Sequence, residues 1–237
     1  MSSRRELRLK KQRKTIGDGN MKNFYDDDVK EEKTTQKTTQ SNDDLPVKWK
    51  EALAQIDYGI DVESSTIYMF GDITDGTLYD FMLRVRAILH MRDESKKEEP
   101  INIIINSDGG DVYEALGMID YLQSLNVKVN TICRGRAMSA AALLLCSGTG
   151  VRGASKNSTI MFHEMSSGIY GKSSDMKANV QHMEKLEEIL VTIMSQNSNK
   201  NDEFWKDKTI KDYYLSPEEA LQLGVIDTII EPKFTRG

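Results

Sequence analysis

Three side chains of the kind that hydrolases combine stand where rigid elements of this chain should end. Ser139 lies in Gly135-Arg136-Ala137-Met138-Ser139-Ala140-Ala141-Ala142-Leu143-Leu144-Leu145, where an apolar strand through Val127, Val129, Thr131, Ile132 and Cys133 runs into an Ala- and Leu-rich helix. A serine in the first turn of such a helix has its hydroxyl among unpaired backbone N–H groups, which can stabilise a developing oxyanion. That is a nucleophile's position, but a lone serine before an apolar helix more often does no more than cap it. His163 ends the apolar run Thr159-Ile160-Met161-Phe162, and strand ends are where a sheet offers side chains to a site. Of the three histidines it is therefore the general-base candidate. His90 reads as a surface residue in the last turn of a helix, and His182, among Gln181 and Glu184, as solvent-facing. Asp212 precedes Tyr213-Tyr214-Leu215 in a loop and can orient a histidine, although nothing local separates it from Asp207. Finally, Gly109-Gly110 after Ser107-Asp108 permit a tight left-handed turn and close approach of a second backbone, which makes an amide-lined binding edge.

The elements that must position these residues follow from hydrophobic period and from turn chemistry. A short helix near Trp49–Gln55 opens the ordered body, and Thr66–Phe70 reads as a buried strand. Thr77–Met91 is a helix with one apolar face, followed by a charged loop from Arg92 to Glu99. Ile101–Asn106 has the β-branched, nearly continuous apolar pattern of a strand buried on both faces. With a helix over 111–125 and a strand over 127–133 it predicts a parallel crossover. Ser147 to Gly153 and Ser166 to Ser174 are Gly-containing loops. Asp175 to Ser195 carries Met176, Val180, Met183, Leu186, Leu190 and Ile193 at helical spacing, long enough to project and pack against a partner subunit. Ser216-Pro217-Glu218-Glu219 is a capping box that starts a helix over 217–223, stopped by Gly224, and Val225–Ile230 returns as a strand.

The chain has 237 residues, 38% of them hydrophobic, which suits one domain with an appendage. The appendage is at the front: Arg4, Arg5, Arg8, Lys10, Lys11, Arg13 and Lys14 precede Asp26–Asp28 and a polar Thr/Gln near-repeat. Residues 1–45 are expected to be a disordered extension, either a polyanion-binding or docking arm, a propeptide or a solvated tail, and 46–237 the folded domain. A net charge of −5 argues against nucleic-acid binding by the body. No apolar run approaches the ~20 residues that span a bilayer, and no signal-peptide core follows the N-terminal charges, so a cytoplasmic protein without a membrane partner is expected. Cys133 and Cys146, both in apolar surroundings, read as reduced core residues. No metal-ligand spacing or phosphate-binding Gly-x-x-x-x-Gly-Lys-Ser/Thr loop occurs, so no cofactor or metal is expected.

Taken in order, Asn106-Ser107-Asp108-Gly109-Gly110, Gly135-Arg136-Ala137-Met138-Ser139-Ala140, Met161-Phe162-His163, Asp212-Tyr213-Tyr214-Leu215-Ser216-Pro217-Glu218-Glu219-Ala220 and Gly224-Val225-Ile226-Asp227 resemble the proteolytic subunit of the Clp protease, from about residue 56 to 231. The resemblance implies an α/β fold of the ClpP/crotonase type, a superhelix of ββα units with the 175–195 helix as a projecting handle. It implies a serine endopeptidase in which Ser139 is the nucleophile, His163 the general base and Asp212 its orienting acid. Backbone N–H groups of Gly110 and Ala140 would then form the oxyanion hole. It further implies heptameric rings stacked around a chamber, unfolded protein or peptide substrates, and a separate AAA+ unfoldase as partner, since the chain has no phosphate loop of its own. Departures from the family's usual pattern are Asp108 for proline, Ala140 for methionine, and Glu164-Met165 for Gln-Pro. Two other readings are a Ser–Lys peptidase or capsid-maturation protease of the same fold, with Lys156 or Lys172 as base, and a non-catalytic ring subunit.

Overall fold

The computed structural model describes residues 47–231 except Ser167 and 169–171. The extension expected over 1–45 and four residues of the loop expected over 166–174 lie outside the described residues. Helix α1 (Val47–Tyr58) opens the domain and leads to a two-residue strand β1 (Ile60–Asp61), which pairs antiparallel with β2 (Thr66–Phe70). Helix α2 (Thr77–Met91) buries Phe81, Val85 and Ile88, the apolar face that its spacing predicts, and leaves His90 exposed. The charged stretch that follows is not wholly a solvent loop. Arg92 is buried, and its guanidinium donates to the carbonyls of Lys97 and Glu99 around a short 3-10 turn, Glu94–Lys96, capped by Asp93.

Strand β3 (Ile101–Ser107), helix α3 (Val112–Gln123) and strand β4 (Val129–Met138) form the expected parallel crossover. β3 differs from expectation in one respect: Ile101, Ile103, Ile105 and Ser107 are buried while the alternate residues are half-buried, because its second face is only partly covered. Asp111 caps α3 by accepting from the N–H groups of Tyr113 and Glu114. Helix α4 (Ala140–Cys146) is buried along its whole length, which explains its exclusively apolar sequence. Cys133 and Cys146 are free buried thiols, as expected, and burial pushes them up to about 11 and about 12.

The stretch read as a Gly-rich loop up to Gly153 in fact enters a strand, β5 (Arg152–Ser155), which pairs with β4 on one side and with β8 (Thr228–Ile230) on the other. Arg-Gly-Ala-Ser has little strand propensity, so here the partners decide. The last strand is correspondingly shorter than its apolar run. Val225 and Ile226 are buried in a turn whose Asp227 takes two hydrogen bonds from the Arg152 guanidinium, which hold its carboxyl below the usual carboxylate range. Strand β6 (Thr159–Phe162) is followed by the long helix α5 (Ser173–Gln196), then α6 (Asp202–Lys208), β7 (Tyr213–Leu215) and α7 (Pro217–Gln222). α7 begins with the predicted capping box complete in both directions. Neither α6 nor β7 is evident in the hydrophobic pattern, although α6 buries Trp205 against Phe162, Phe204 and Tyr213. Among the described residues no helix is long and apolar enough to cross a membrane.

The sheet runs β1-β2-β3-β4-β5-β8 and forks at β4. Residues Thr131–Cys133 of β4 pair with β5, whereas Arg136–Met138 pair with β6, which in turn pairs antiparallel with β7. Between the two branches the β3–β4 register shifts, from Ile105↔Cys133 to Ser107↔Ala137. The strand therefore runs well past the expected end at Cys133, and its second half points into a small branch, β4-β6-β7, with a separate job.

Candidate active site

The three chemical side chains singled out in the sequence each lie one residue beyond that small branch. Met138 is the last residue of β4 and pairs with Met161; Phe162 is the last of β6 and pairs with Tyr213, the first of β7. Ser139, His163 and Asp212 are the next residues on the three strands, so they sit side by side along one edge. Because directly opposed residues of an antiparallel pair share a face, continuing the register sets His163 across from Asp212.

Ser139 occupies the N-cap position of α4 without acting as a cap. Its side chain makes no capping hydrogen bond, and its backbone has φ 53° and ψ −125°. Positive φ is uncommon for a residue with a Cβ, and sparsely populated conformations of this kind cost on the order of 1–3 kcal/mol. The surroundings hold it there: its N–H donates to the Met161 carbonyl (2.8 Å), and its carbonyl accepts from Ala142 (2.9 Å) and Leu143 (3.2 Å) at the start of the buried helix. The hydroxyl thus turns away from the helix and meets His163, with Oγ and Nε2 2.8 Å apart. The helix-cap reading of Ser139 is thereby corrected in its side chain, though not in its position.

The Gly109–Gly110 turn closes over the same helix start. Gly109 has φ +93° and Gly110 φ +142°. A Cβ on Gly109 would lie 2.5 Å from the Met138 carbonyl oxygen and 2.9 Å from the Ala140 nitrogen. The turn and the serine backbone are therefore in contact at a distance that only glycine permits. On its other side the turn is pinned to Ile73, whose N–H donates to the Gly109 carbonyl and whose carbonyl accepts from Asp111, each at 2.8 Å. The N–H groups of Gly110 and Ala140 have no acceptor among the described residues. They flank Ser139 from two different segments, an arrangement that can bind an oxyanion.

Asp212 stands apart. It is exposed, and the hydrogen bond it makes is with the Tyr214 hydroxyl, at 3.4 Å, rather than with His163. The His163 segment is anchored elsewhere: Glu164 donates its N–H to the Thr209 carbonyl (2.7 Å), and Met165 donates to the Glu187 carboxylate on α5 (2.9 Å). Neither lysine considered as an alternative base takes part in the Ser139–His163 contact or lines the cavity beside it. Lys156 pairs with Glu231 at 3.1 Å, and Lys172 is exposed at the start of α5. His182 is exposed as expected, yet its Nε2 lies 2.7 Å from the hydroxyl of Tyr113 on α3.

Beside Ser139 and His163 opens a cavity of about 80 Å³ whose apolar walls are Val112, Leu143, Phe162, Met165, Leu190 and Met194. Sequence reasoning named none of these as site residues. Leu143 and Leu190 were legible as helix-face residues, but that α4 and α5 turn them toward one cavity depends on helix packing. A pocket of this size and lining suits one apolar side chain next to the reacting bond.

The sequence model of the family described as Clp protease matches residues 54–233. The chain is 36% identical over 151 residues to the ATP-dependent Clp protease proteolytic subunit 1 of Prochlorococcus marinus subsp. pastoris, which covers 63% of this chain and 77% of that protein. It is 37% identical over 146 residues to the corresponding subunit of Deinococcus radiodurans (61% and 72%), and 36% identical over 151 residues to that of Bacteroides thetaiotaomicron (63% and 68%). With a mixed α/β fold that carries a serine and a histidine in contact at its strand ends, the chain belongs to the Clp protease family of serine peptidases.

Proposed function

We propose that this chain hydrolyses peptide bonds of unfolded polypeptides with Ser139 as nucleophile, His163 as general base and Asp212 as the acid that orients the imidazole. The observation that carries the reading is the 2.8 Å approach of Ser139 Oγ to His163 Nε2. A serine hydroxyl is too weak an acid to attack an amide at neutral pH, so the imidazole takes its proton as Oγ bonds to the carbonyl carbon. The N–H groups of Gly110 and Ala140 receive the oxyanion, and backbone donors suffice there, whatever side chain residue 140 carries. His163 then returns the proton to the leaving amine, and a water molecule repeats the sequence to free the acyl group. The apolar cavity beside Ser139 favours substrates with an apolar residue before the scissile bond.

The assembly belongs to the same proposal. On α5, Leu186, Leu190, Val191 and Met194 are buried, while Met176, Val180 and Ile189 are exposed apolar residues on a helix that carries many charges. Met176 and Val180, one helical turn apart, fit a subunit contact, and a homo-oligomer of stacked heptameric rings is the assembly this reading adopts from the family. A second apolar surface, where Ile56, Tyr68 and Phe70 rim a cleft of about 620 Å³, is available to an AAA+ unfoldase partner. Residues 46–237 constitute the peptidase domain in this reading, with 1–45 as its extension and the cytoplasm as its place of work.

Labelling with a fluorophosphonate tests the chemistry. An adduct on Ser139 in the wild-type chain, absent from Ser139→Ala, is the expected result. No adduct on a folded, assembled sample would overturn the enzymatic assignment of Ser139.

A further inference from the structure

The candidate oxyanion hole is built from two pieces of chain that approach without a backbone hydrogen bond between them. The last rung of the β3–β4 ladder is Ser107↔Ala137. Past it, Gly109 touches Met138 and Ala140 only by close packing; the turn's backbone hydrogen bonds go to Ile73 and, from the Gly109 N–H, to the Ser107 hydroxyl at 3.0 Å, and none of these reaches β4. Two successive glycines are the least restrained dipeptide a chain can offer. Something must fix the distance between the Gly110 N–H and the Ala140 N–H.

We propose that the Asp108–Arg136 ion pair is that restraint: a clamp across the mouth of the oxyanion hole, with both side chains acting as positioning residues. Arg136 Nε lies 2.6 Å from Asp108 Oδ1, and its Nη2 donates to Oδ2 at 2.7 Å, a two-pronged fork that fixes orientation as well as distance. Asp108 immediately precedes Gly109-Gly110. Arg136 stands in the stretch of β4 where the register shifts, and its own N–H is directed at Asn106 Oδ1 (3.3 Å). One end of the fork is thus attached to the segment that carries the Gly110 donor, and the other to the strand that carries Ser139 and the Ala140 donor. Together with the contact of the Arg136 N–H to Asn106 Oδ1, the fork ties the residues that lead into the turn to β4, and its carboxylate is the one adjacent to Gly109.

Both partners are about half exposed, 52% and 51% by side chain, so the pair contributes little to global stability. Its effect is local, on a turn whose geometry matters most in the transition state. The inference rests on the proposed peptidase chemistry of Ser139, but the clamp itself is a property of the turn and has a readout that needs no activity.

The test uses the full chain with Asp108→Asn, Arg136→Gln and the double variant. Amide hydrogen exchange is read at Ile73 and Asp111, whose N–H groups are the donors that join the turn to Ile73, and kcat and KM are measured on a short chromogenic peptide. Each single variant should speed exchange at these two amides and lower kcat roughly threefold to tenfold, with KM changed less than about twofold. The double variant should be no worse than either single one, because each removes the same interaction. Unchanged exchange, additive losses, or faster exchange with kcat unaltered would each overturn the positioning role. If the wild-type chain proves inactive toward fluorophosphonate and peptide, the peptidase reading of Ser139 fails, and the positioning role fails with it. If labelling of Ser139 persists while exchange is insensitive to the fork, only the clamp fails.

Discussion

The Ser139–His163 half of the candidate site and the Asp212 half are built on the same three-stranded branch, yet they are held very differently. Ser139 is fixed by a backbone hydrogen bond to Met161 of β6, by a fully buried helix and by the close packing of Gly109, and these together keep it at a positive φ. His163 meets it directly, and the residues that follow are tied to Thr209 and Glu187. Asp212 has the register but not the contact: it stands just before the outermost strand of the branch, is exposed, and leans toward Tyr214. Shared topology brings residues to one edge, and only packing around each side chain fixes its rotamer. An edge strand with solvent on one side leaves that second condition to whatever else covers it.

The contrast predicts a ranking of effects. Ser139→Ala or His163→Ala should each lower kcat on an unstructured fluorogenic peptide by about 10⁶, since nucleophile and base act as a unit. Asp212→Asn should cost about 10⁴ if the acid engages His163 in the working assembly. A fall of less than about tenfold would instead mean that Ser139 and His163 act as a pair and that the exposed position of Asp212 is its working one. Gly110→Ala should lower kcat by about 100-fold or more, because the added Cβ would lie 2.0 Å from the Ile73 carbonyl oxygen and the turn must shift its donor to relieve the clash. Full activity in that variant would remove Gly110 from the oxyanion hole. The smallest change is expected for Tyr214→Phe, less than about fivefold in kcat, because a 3.4 Å hydrogen bond on an exposed side chain is weak. A loss as large as that of Asp212→Asn would show that the tyrosine holds the acid in place.

Elements whose apolar residues are spaced for one buried face were legible. Helix α2 has the bounds its spacing predicts, the β3–α3–β4 crossover is parallel, and α7 starts at its capping box. β5 and β7 were not, because Arg-Gly-Ala-Ser and Tyr-Tyr-Leu become strands through partners far away in the chain. α6 was missed because its buried surface is largely one side chain, Trp205, which a periodicity argument cannot see. Within the site, Ser139 and His163 could be picked out as strand-end residues of reactive type. The Met165, Leu190 and Met194 walls of the cavity could not, since they reach Ser139 from β6's outgoing segment and from α5.

By itself the sequence determined the reactive types and where the rigid elements end: a serine between an apolar strand and an apolar helix, a histidine after a strand, a Gly-Gly turn. These depend on local chemistry and period, which a chain carries wherever it is placed. Tertiary structure alone decided that Ser139 turns its hydroxyl to His163 instead of capping its helix, that Gly110 and Ala140, whose N–H groups have no acceptor among the described residues, line one cavity with it, and that Asp212 stops short of the imidazole. Each of these is a distance between segments separated by many residues. Such distances are set by strand register and by the close packing of backbone on backbone, neither of which is written in any one stretch of the chain.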